Sequence, residues 1–168
     1  MEPRAPREVF AGRYVRVEIR AWGGGEWETV RRVGAAGVLP VTPSGEVLLV
    51  RQFRPSIGLE LTEIPAGLLD REGEDPLGCA ARELFEETGF RHAHIEFLGG
   101  YYSSAGFTDE YVHLFLARTE PEASGAPERG IEVVRRPFPE MVRAARAGRV
   151  RDAKTALALL MADRGSLP

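Results

Sequence analysis

The chain has 168 residues, enough for one well-packed core and too few for two full domains, so we predict a single catalytic domain. Its net charge of −3 argues against a nucleic-acid-binding protein, because neutralising many phosphates requires a basic face. No apolar run approaches the roughly 20 residues of a membrane-spanning helix, and residues 1–10 lack the apolar segment of a secretory signal. We therefore expect a cytoplasmic protein that binds small molecules rather than nucleic acid or membranes.

Short apolar or alternating runs, bounded by Gly, Pro and Ser, recur along the chain and predict strands. They cover residues 14–22, 27–33, 37–42, 47–53, 95–103, 111–117 and 131–138. Glycines at 23–25 predict a hairpin turn between the first two strands, and residues 43–45 predict a turn between the next two. Neither cluster forms a GxGxxG or P-loop pattern, so dinucleotide-binding and P-loop folds lose their main sequence support.

Three helices are predicted. The first spans 76–88, because Asp75 suits the N-cap, Pro76 the first turn and Gly89 a left-handed C-terminal cap. The other two cover 140–147 and 154–163. Many strands with few helices indicate an α/β protein of the α+β or mixed type.

Two smaller features complete the pattern. Cys79 lies among small apolar residues of the first helix, and we interpret it as a core residue rather than a catalytic thiol. Residues 120–129 combine Pro, Ser, Gly and charged residues between two predicted strands, which predicts a mobile surface loop.

The first helix carries an unusual cluster of carboxylates. Glu83, Glu86 and Glu87 stand at i, i+3 and i+4 and therefore share one face. Their mutual repulsion costs an isolated helix ~0.2–0.5 kcal/mol per pair, and a bound cation would offset it. Oxygen-only ligands favour Mg²⁺, with Mn²⁺ as a possible substitute. The alternative is a solvated acidic face on which Arg82 pairs with Glu86.

The stretch 67–90 resembles the Nudix box, whose pattern is Gly, five residues, Glu, seven residues, then Arg-Glu-apolar-x-Glu-Glu-x-Gly-apolar. Residues 74–90 match without a gap, but six residues rather than five separate Gly67 from Glu74. We assign the extra residue to the turn at 70–73, where an insertion leaves the helix register intact. Either Glu74 or Glu72 then anchors the helix.

Further segments are similar to the ADP-ribose pyrophosphatase branch of that family. Residues 50–55 and 63–67 resemble its strand and entry segment, and residues 104–110 resemble its substrate loop. That branch usually has proline where Ala105 stands. The resemblance implies hydrolysis of ADP-ribose to AMP and ribose 5-phosphate, and it leaves open another nucleoside diphosphate derivative, such as GDP-mannose or FAD. A nucleotide sensor without catalytic activity is the alternative from another class.

The resemblance also implies roles for individual residues. Glu83 and Glu87 become the chief metal ligands, with Glu86 and the Ala66 carbonyl assisting, and Arg82 orients the carboxylates. Glu128, in the loop before the last strand, is the expected general base, with Glu86 as the fallback. The substrate-binding residues implied are Trp27, Glu28, Gln52, Arg54, Ser104, Gly106 and Glu110.

The fold implied is a Nudix-type α/β/α sandwich with a mixed sheet and an N-terminal antiparallel hairpin or subdomain. On this resemblance, residues 1–34 form the N-terminal strands that build a homodimer and the adenine pocket, and residues 35–168 form the catalytic domain. The substrate expected is a small nucleoside diphosphate sugar.

Overall fold

A computed structural model describes residues 5–163. Residues 1–4 and 164–168 lie outside the described part of the chain. The described residues form ten strands and three helices. In chain order these are β1 Arg7–Ala11, β2 Arg16–Trp22, β3 Gly25–Arg31, β4 Ala35–Val41, β5 Glu46–Arg54, β6 Leu59–Glu63, β7 Ala66–Leu68, α1 Pro76–Thr88, β8 His92–Tyr102, β9 Tyr111–Thr119, β10 Glu132–Pro137, α2 Phe138–Arg146 and α3 Ala153–Ala162.

The larger of two sheets has seven strands. Its central order is β10-β5-β4-β9-β8, with β6 paired to β5 and β7 paired to β4. The β4–β9 pair is parallel, in a register that sets Val38 opposite Phe115, and the other pairs are antiparallel. The sheet is therefore mixed, as the resemblance implied.

Both faces of this sheet are covered by helices, because successive residues of its central strands point to opposite sides and both sides are apolar. Val38 and Leu48 belong to the buried cluster that packs against Cys79, Ala80 and Leu84 of α1. Their neighbours on the other face belong to the cluster that includes α2 and α3 residues: Leu39, Leu49, Val142, Ala158 and Leu159. The α/β/α sandwich is confirmed.

The smaller sheet is antiparallel, with the order β1-β2-β3. The β2–β3 hairpin turns at Gly23 and Gly24, whose φ angles of 60° and 85° lie in the left-handed region that glycine adopts most readily. This sheet adjoins the segment 104–110: Val30 N donates to the Phe107 carbonyl (2.7 Å), and Arg31 pairs with Asp109. The N-terminal strands thus fix one side of the predicted substrate loop.

The three predicted helices are all present, with ends shifted by up to two residues, and all seven predicted strands are present. Sequence patterns missed β1, β6 and β7. Every residue of β1 is exposed, so it shows no alternation between buried and exposed residues. Strand β7 has only three residues, and the inward-facing position at the end of β6 is a charged residue, Glu63. Within residues 5–163, no helix is long and apolar enough to cross a membrane.

Candidate active site

The site is built on α1, whose two ends are fixed by local interactions. Asp75 accepts a hydrogen bond from Gly78 N (2.7 Å), and Pro76 occupies the first turn. Gly89 ends the helix with φ 76°, and its N–H donates to the Phe85 carbonyl (2.8 Å). The extra residue before Glu74 is accommodated in the 69–75 turn, and α1 keeps the register that the carboxylate spacing requires.

Arg82 connects the acidic residues of α1. Its Nε and Nη2 donate to the two carboxylate oxygens of Glu74 at 2.7 and 2.9 Å. Its Nη1 donates to Glu83 and, at 2.8 Å, to Glu86. These hydrogen bonds, the one to Glu74 foremost, raise the pKa of Arg82 and lower that of Glu74. Glu74 is therefore the carboxylate that anchors Arg82.

Glu83 lies directly on the backbone of β7. A Cβ atom at Gly67 would lie 1.8 Å from Oε1 of Glu83, so the carboxylate needs glycine at this position. Burial raises the pKa of Glu83 even though Arg82 hydrogen bonds to it. Gly67 and Glu83, 16 residues apart in the sequence, thus meet in space.

Glu87 is the most deeply buried of the three carboxylates, with 6% of its surface exposed. Its Oε2 accepts a hydrogen bond from Ala66 N (3.1 Å), which ties α1 to the start of β7. Burial and the neighbouring charge of Glu83 raise the pKa of Glu87 to about 7. Ionising the Glu87 carboxyl therefore costs free energy at this buried position.

Glu86 differs from its two neighbours on α1. It is more exposed and accepts hydrogen bonds from both Arg82 and Arg71, the latter at 2.9 Å. Burial opposes ionisation, but these two arginines outweigh it and lower the pKa of Glu86. Glu86 is thus paired with two arginines and its pKa is lowered, whereas burial raises the pKa of Glu83 and Glu87, and a bound cation would favour the ionised form of both.

The donor set fits a hard divalent cation. Glu83 is close enough to Glu87 for its charge to add to the effect of burial in raising the pKa of Glu87. Mg²⁺ commonly takes one or two carboxylates together with substrate phosphates. Within residues 5–163, no three Asp, Glu, His or Cys side chains are arranged as a complete ligand set. The reason is visible in the hydrogen bonds, because Glu83 and Glu86 turn toward Arg82 while Glu87 turns toward Ala66.

A cleft of about 660 Å³ opens beside these carboxylates. Its floor includes Ala66 and Gly67, the two backbone positions that contact Glu87 and Glu83. Its other lining residues come from the larger sheet, from α3 and from connecting segments, and they include Tyr14, Arg32, Arg54, Glu63, Tyr102, Glu110 and Lys154. A volume of this size suits a small organic ligand with a few convergent polar groups.

The predicted substrate residues fall into two groups. Arg54 and Glu110 line the cleft: Arg54 forms a bidentate pair with Glu63 (2.6 and 3.0 Å), and Glu110 pairs with Arg32 (3.2 Å). The remaining predicted residues do not line it within a single chain: Trp27, Glu28, Gln52, Ser104 and Gly106. Trp27 is 57% exposed on β3.

Several cleft residues were not predicted. Glu63, only 2% exposed, accepts from Arg54 and from Lys154, and Lys154 also donates to Asp152 (2.8 Å). The hydrogen bonds of Glu63 act against its burial and lower its pKa. Lys154 is the single lysine of the chain, but no local pattern in the sequence links it to Glu63, 91 residues away.

Glu128, the predicted base, lies in the segment between β9 and β10. All of residues 120–130 are exposed and irregular, as predicted, while the mobility of this segment stays a prediction. The negative charge of Glu128 contributes to raising the pKa of Glu83, after burial and the closer groups. Glu128 N donates to the Glu86 carbonyl (2.9 Å), so the loop holds the Glu128 backbone against α1.

A family model described as NUDIX domain matches residues 31–159, which is most of the chain and includes every element from β4 to α2. The chain belongs to the Nudix family of hydrolases. The ADP-ribose pyrophosphatase of Bacillus subtilis is 35% identical over 164 residues, covering 92% of this chain and 88% of that protein. The GDP-mannose pyrophosphatase of Cronobacter sakazakii is 37% identical over 137 residues, covering 75% and 71%.

A solved structure of an ADP compounds hydrolase matches this Nudix chain with a TM-score of 0.77, covering 96% of this chain and 91% of that one. At 21% identity this likeness concerns the fold alone. Cys79 is buried within the apolar cluster that includes α1, and burial raises the pKa of its thiol to about 11. Cys79 is a core residue, as predicted.

Proposed function

We propose that this Nudix hydrolase cleaves the pyrophosphate bond of a nucleoside diphosphate sugar, with ADP-ribose as the substrate and AMP and ribose 5-phosphate as products. The observation that carries the proposal is the juxtaposition of the Glu83–Glu87 face with the floor of the cleft at Ala66 and Gly67. The ADP-ribose pyrophosphatase of Bacillus subtilis supports the choice of substrate, because the chain covers 88% of its length.

The cation proposed is Mg²⁺, with Mn²⁺ as a substitute. Glu83 and Glu87 would hold it, together with Glu86 and the carbonyl of Ala66. When bound, such a cation neutralises charge on the diphosphate oxygens and makes water a stronger nucleophile. Arg82 keeps the carboxylates in place through its fork to Glu74, and the buried position of Glu87 limits the access of competing water.

In the proposed reaction, water attacks one phosphorus and the bond from that phosphorus to the bridging oxygen breaks. Glu128 accepts the proton that the water loses, and Glu86 is the fallback. The physical reason to prefer Glu128 is that Glu86 already accepts hydrogen bonds from Arg82 and Arg71, which lower its pKa and its basicity. Arg54 binds the phosphates or the terminal ribose from the cleft wall.

The second candidate substrate is GDP-mannose. It is favoured by the GDP-mannose pyrophosphatase of Cronobacter sakazakii, 37% identical, and by Ala105, where the ADP-ribose branch usually has proline. FAD is a further alternative, because the carboxylates and the cation would bind only the diphosphate that all of these compounds share. A sensor without catalytic activity is disfavoured by the complete set of glutamates on α1.

We propose that residues 1–34 build a homodimer and complete the adenine pocket, with Trp27 and Glu28 reaching the cleft of the second copy. Both faces of the β1-β2-β3 sheet contain exposed residues, and Trp22 is 74% exposed. A small ribbon with exposed aromatic residues is poorly stable alone and gains from a covering surface. Ser104, Gly106 and Gln52 keep their proposed substrate roles, and the cytoplasmic location stays a prediction.

The test is a panel of ADP-ribose, GDP-mannose, FAD and a nucleoside triphosphate, assayed with Mg²⁺ and with products identified. We expect the highest kcat/KM for ADP-ribose, with AMP and ribose 5-phosphate formed in equal amounts. A higher kcat/KM for GDP-mannose would select the second candidate. Binding of a nucleotide with no turnover of any compound would identify a sensor.

A further inference from the structure

The loop of residues 120–131 is fastened to the C-terminal end of α1 by its backbone. Ser124 N and Gly125 N both donate to the Gly89 carbonyl, at 2.9 and 3.1 Å. Glu128 N donates to the Glu86 carbonyl at 2.9 Å. The last carbonyls of a helix have no partner within the helix, and here the loop supplies one of the missing donors. The backbone amide of Glu128 is therefore hydrogen-bonded to Glu86, a residue of the carboxylate face.

The same contact requires two glycines that face each other. A Cβ at Gly89 would lie 2.2 Å from the carbonyl oxygen of Gly125, and a Cβ at Gly125 would lie 2.8 Å from Cζ of Phe85. Both distances are too short for a side chain, so the loop reaches α1 only because neither position has one. The Phe85 ring also holds the guanidinium of Arg91, 4.3 Å from its centroid, which restricts how far the ring can move.

The consequence concerns the position of Glu128. The hydrogen bond to the Glu86 carbonyl fixes the position of the Glu128 backbone along α1. Glu86 lies between the two proposed ligands, Glu83 and Glu87, in the sequence. A lateral shift of the loop would carry the carboxylate away from the proposed attacking water, and misplacement by about 1 Å can cost ~10²-fold in rate.

We propose that Gly125, seated against Phe85 and Gly89, is a positioning residue that holds the 120–131 loop on α1 and so sets Glu128 over the carboxylate face. Gly125 touches no substrate and acts only through Glu128. This inference rests on the proposed function, in which Glu128 takes the proton from water.

Gly125 can be substituted without changing the backbone conformation that its position requires. Its φ lies outside the left-handed region, so a side chain there meets Phe85 without straining the backbone. Gly89 is unsuitable, because its φ of 76° makes any substitution costly for the helix cap as well. Ala123 offers a control, since it is exposed in the same loop and its substitution also introduces a β-branched valine.

The experiment compares Gly125→Val with Ala123→Val in the wild-type and Glu128→Gln backgrounds. With Glu128 present, we expect G125V to lower kcat about 10-fold while KM and the Mg²⁺ concentration for half-maximal rate stay within 2-fold, and A123V to have no effect. With Glu128→Gln, G125V should cost less than 2-fold more, because the residue it positions is gone. An equal loss in both backgrounds would show a structural role and overturn the inference.

Hydrogen exchange of the wild type provides a readout independent of activity. The amides of Ser124, Gly125 and Glu128 should be protected, and G125V should remove that protection while the amides of α1 stay unchanged. Rapid exchange of these three amides in the wild type would show that the loop is not held on α1, and would overturn the inference even if the enzyme is active. Failure to hydrolyse any nucleoside diphosphate compound would refute the proposed function. Hydrogen exchange would still decide whether Gly125 holds the loop on α1.

Discussion

Glu63 and Glu87 are both almost fully buried, but their surroundings favour opposite charge states. Glu63 accepts hydrogen bonds from Arg54 and Lys154, and these lower its pKa. Glu87 has a single backbone donor and a like-charged neighbour, and its pKa is raised to about 7. Glu63 is therefore a carboxylate that the fold stabilises in its ionised form, whereas Glu87 is one that the fold destabilises.

Glu87→Gln should leave the metal-free protein as stable as the wild type or more stable. The raised pKa means that ionised Glu87 costs stability as pH rises from about 4.5 to about 7, and the glutamine retains an oxygen for Ala66 N. In urea unfolding with a chelator at pH 8, we expect a gain of roughly 1–3 kcal/mol that shrinks toward pH 5. A loss of stability at pH 8 would contradict this electrostatic picture.

Glu63→Gln should have the opposite effect. The lowered pKa means that ionised Glu63 adds stability above about pH 4.5, and that this stability is lost as pH falls through the folded pKa. We expect a loss of roughly 2–3 kcal/mol at pH 7, below the usual ~3–5 kcal/mol for a broken buried pair, because Arg54 remains partly solvated. The difference from wild type should shrink as pH falls below 4.5 and through the lowered pKa of Glu63, and a gap that does not shrink in acid would point to lost packing instead.

The sequence was informative wherever the chemistry is local. The spacing of Glu83, Glu86 and Glu87 determines that they share a helix face, and Arg82 follows from the same register. The partnership of Glu63 with Lys154 joins residues 91 apart in sequence, and nothing in local pattern predicts it. The choice of Glu74 rather than Glu72 also depended on the path of the 69–75 turn, which only the structure provides.

At the scale of elements, the N-terminal sheet is the part whose role depends most on a partner. Trp27 is exposed within one chain, so it is not a core residue there, and it does not line the cleft of its own chain. The β3 strand nevertheless contacts the substrate loop through Val30 and Arg31. In the proposed homodimer, Trp27 would serve the adenine pocket of the second copy.

Trp27→Ala should raise the KM for ADP-ribose by about 10-fold, in keeping with the ~1–3 kcal/mol of a base–aromatic stack. The effect on kcat should be small, and a ribose 5-diphosphate analogue without the base should bind equally well to both proteins. Trp22→Ala is the matched control, because Trp22 is exposed on the same sheet and has no proposed role in the pocket. Equal KM changes in the two variants would reject a stacking role for Trp27.

Elements with strong end signals were predictable, and those shaped by tertiary contacts were not. Asp75, Pro76 and Gly89 mark α1 in the sequence, and the structure shows the same caps. Strand β7 exists because its three residues pair with β4 and receive Glu83 and Glu87 from α1. Such a strand has too few residues for a periodic pattern, so it becomes visible only once the sheet is assembled.

At the scale of the molecule, the sandwich divides structural and chemical tasks between its layers. The central strands fill both apolar clusters, α1 presents its carboxylates at the edge of the sheet, and α3 contributes Lys154 to the opposite wall of the cleft. Tyr14 and Arg32, in the segments that adjoin the N-terminal strands, line the same cleft. Sedimentation of the wild type at micromolar concentration should give a dimer, and a monomer that hydrolyses ADP-ribose efficiently would exclude a shared pocket.

In the proposed reaction, the carboxylate face of α1 holds the cation that permits hydrolysis. The most direct test of this role is a Mg²⁺ titration of ADP-ribose hydrolysis by the wild type, Glu83→Gln and Glu87→Gln. We predict Mg²⁺-dependent formation of AMP and ribose 5-phosphate by the wild type, and a turnover at least ~10² lower in each folded variant at saturating Mg²⁺. Wild-type turnover in both variants would contradict the account.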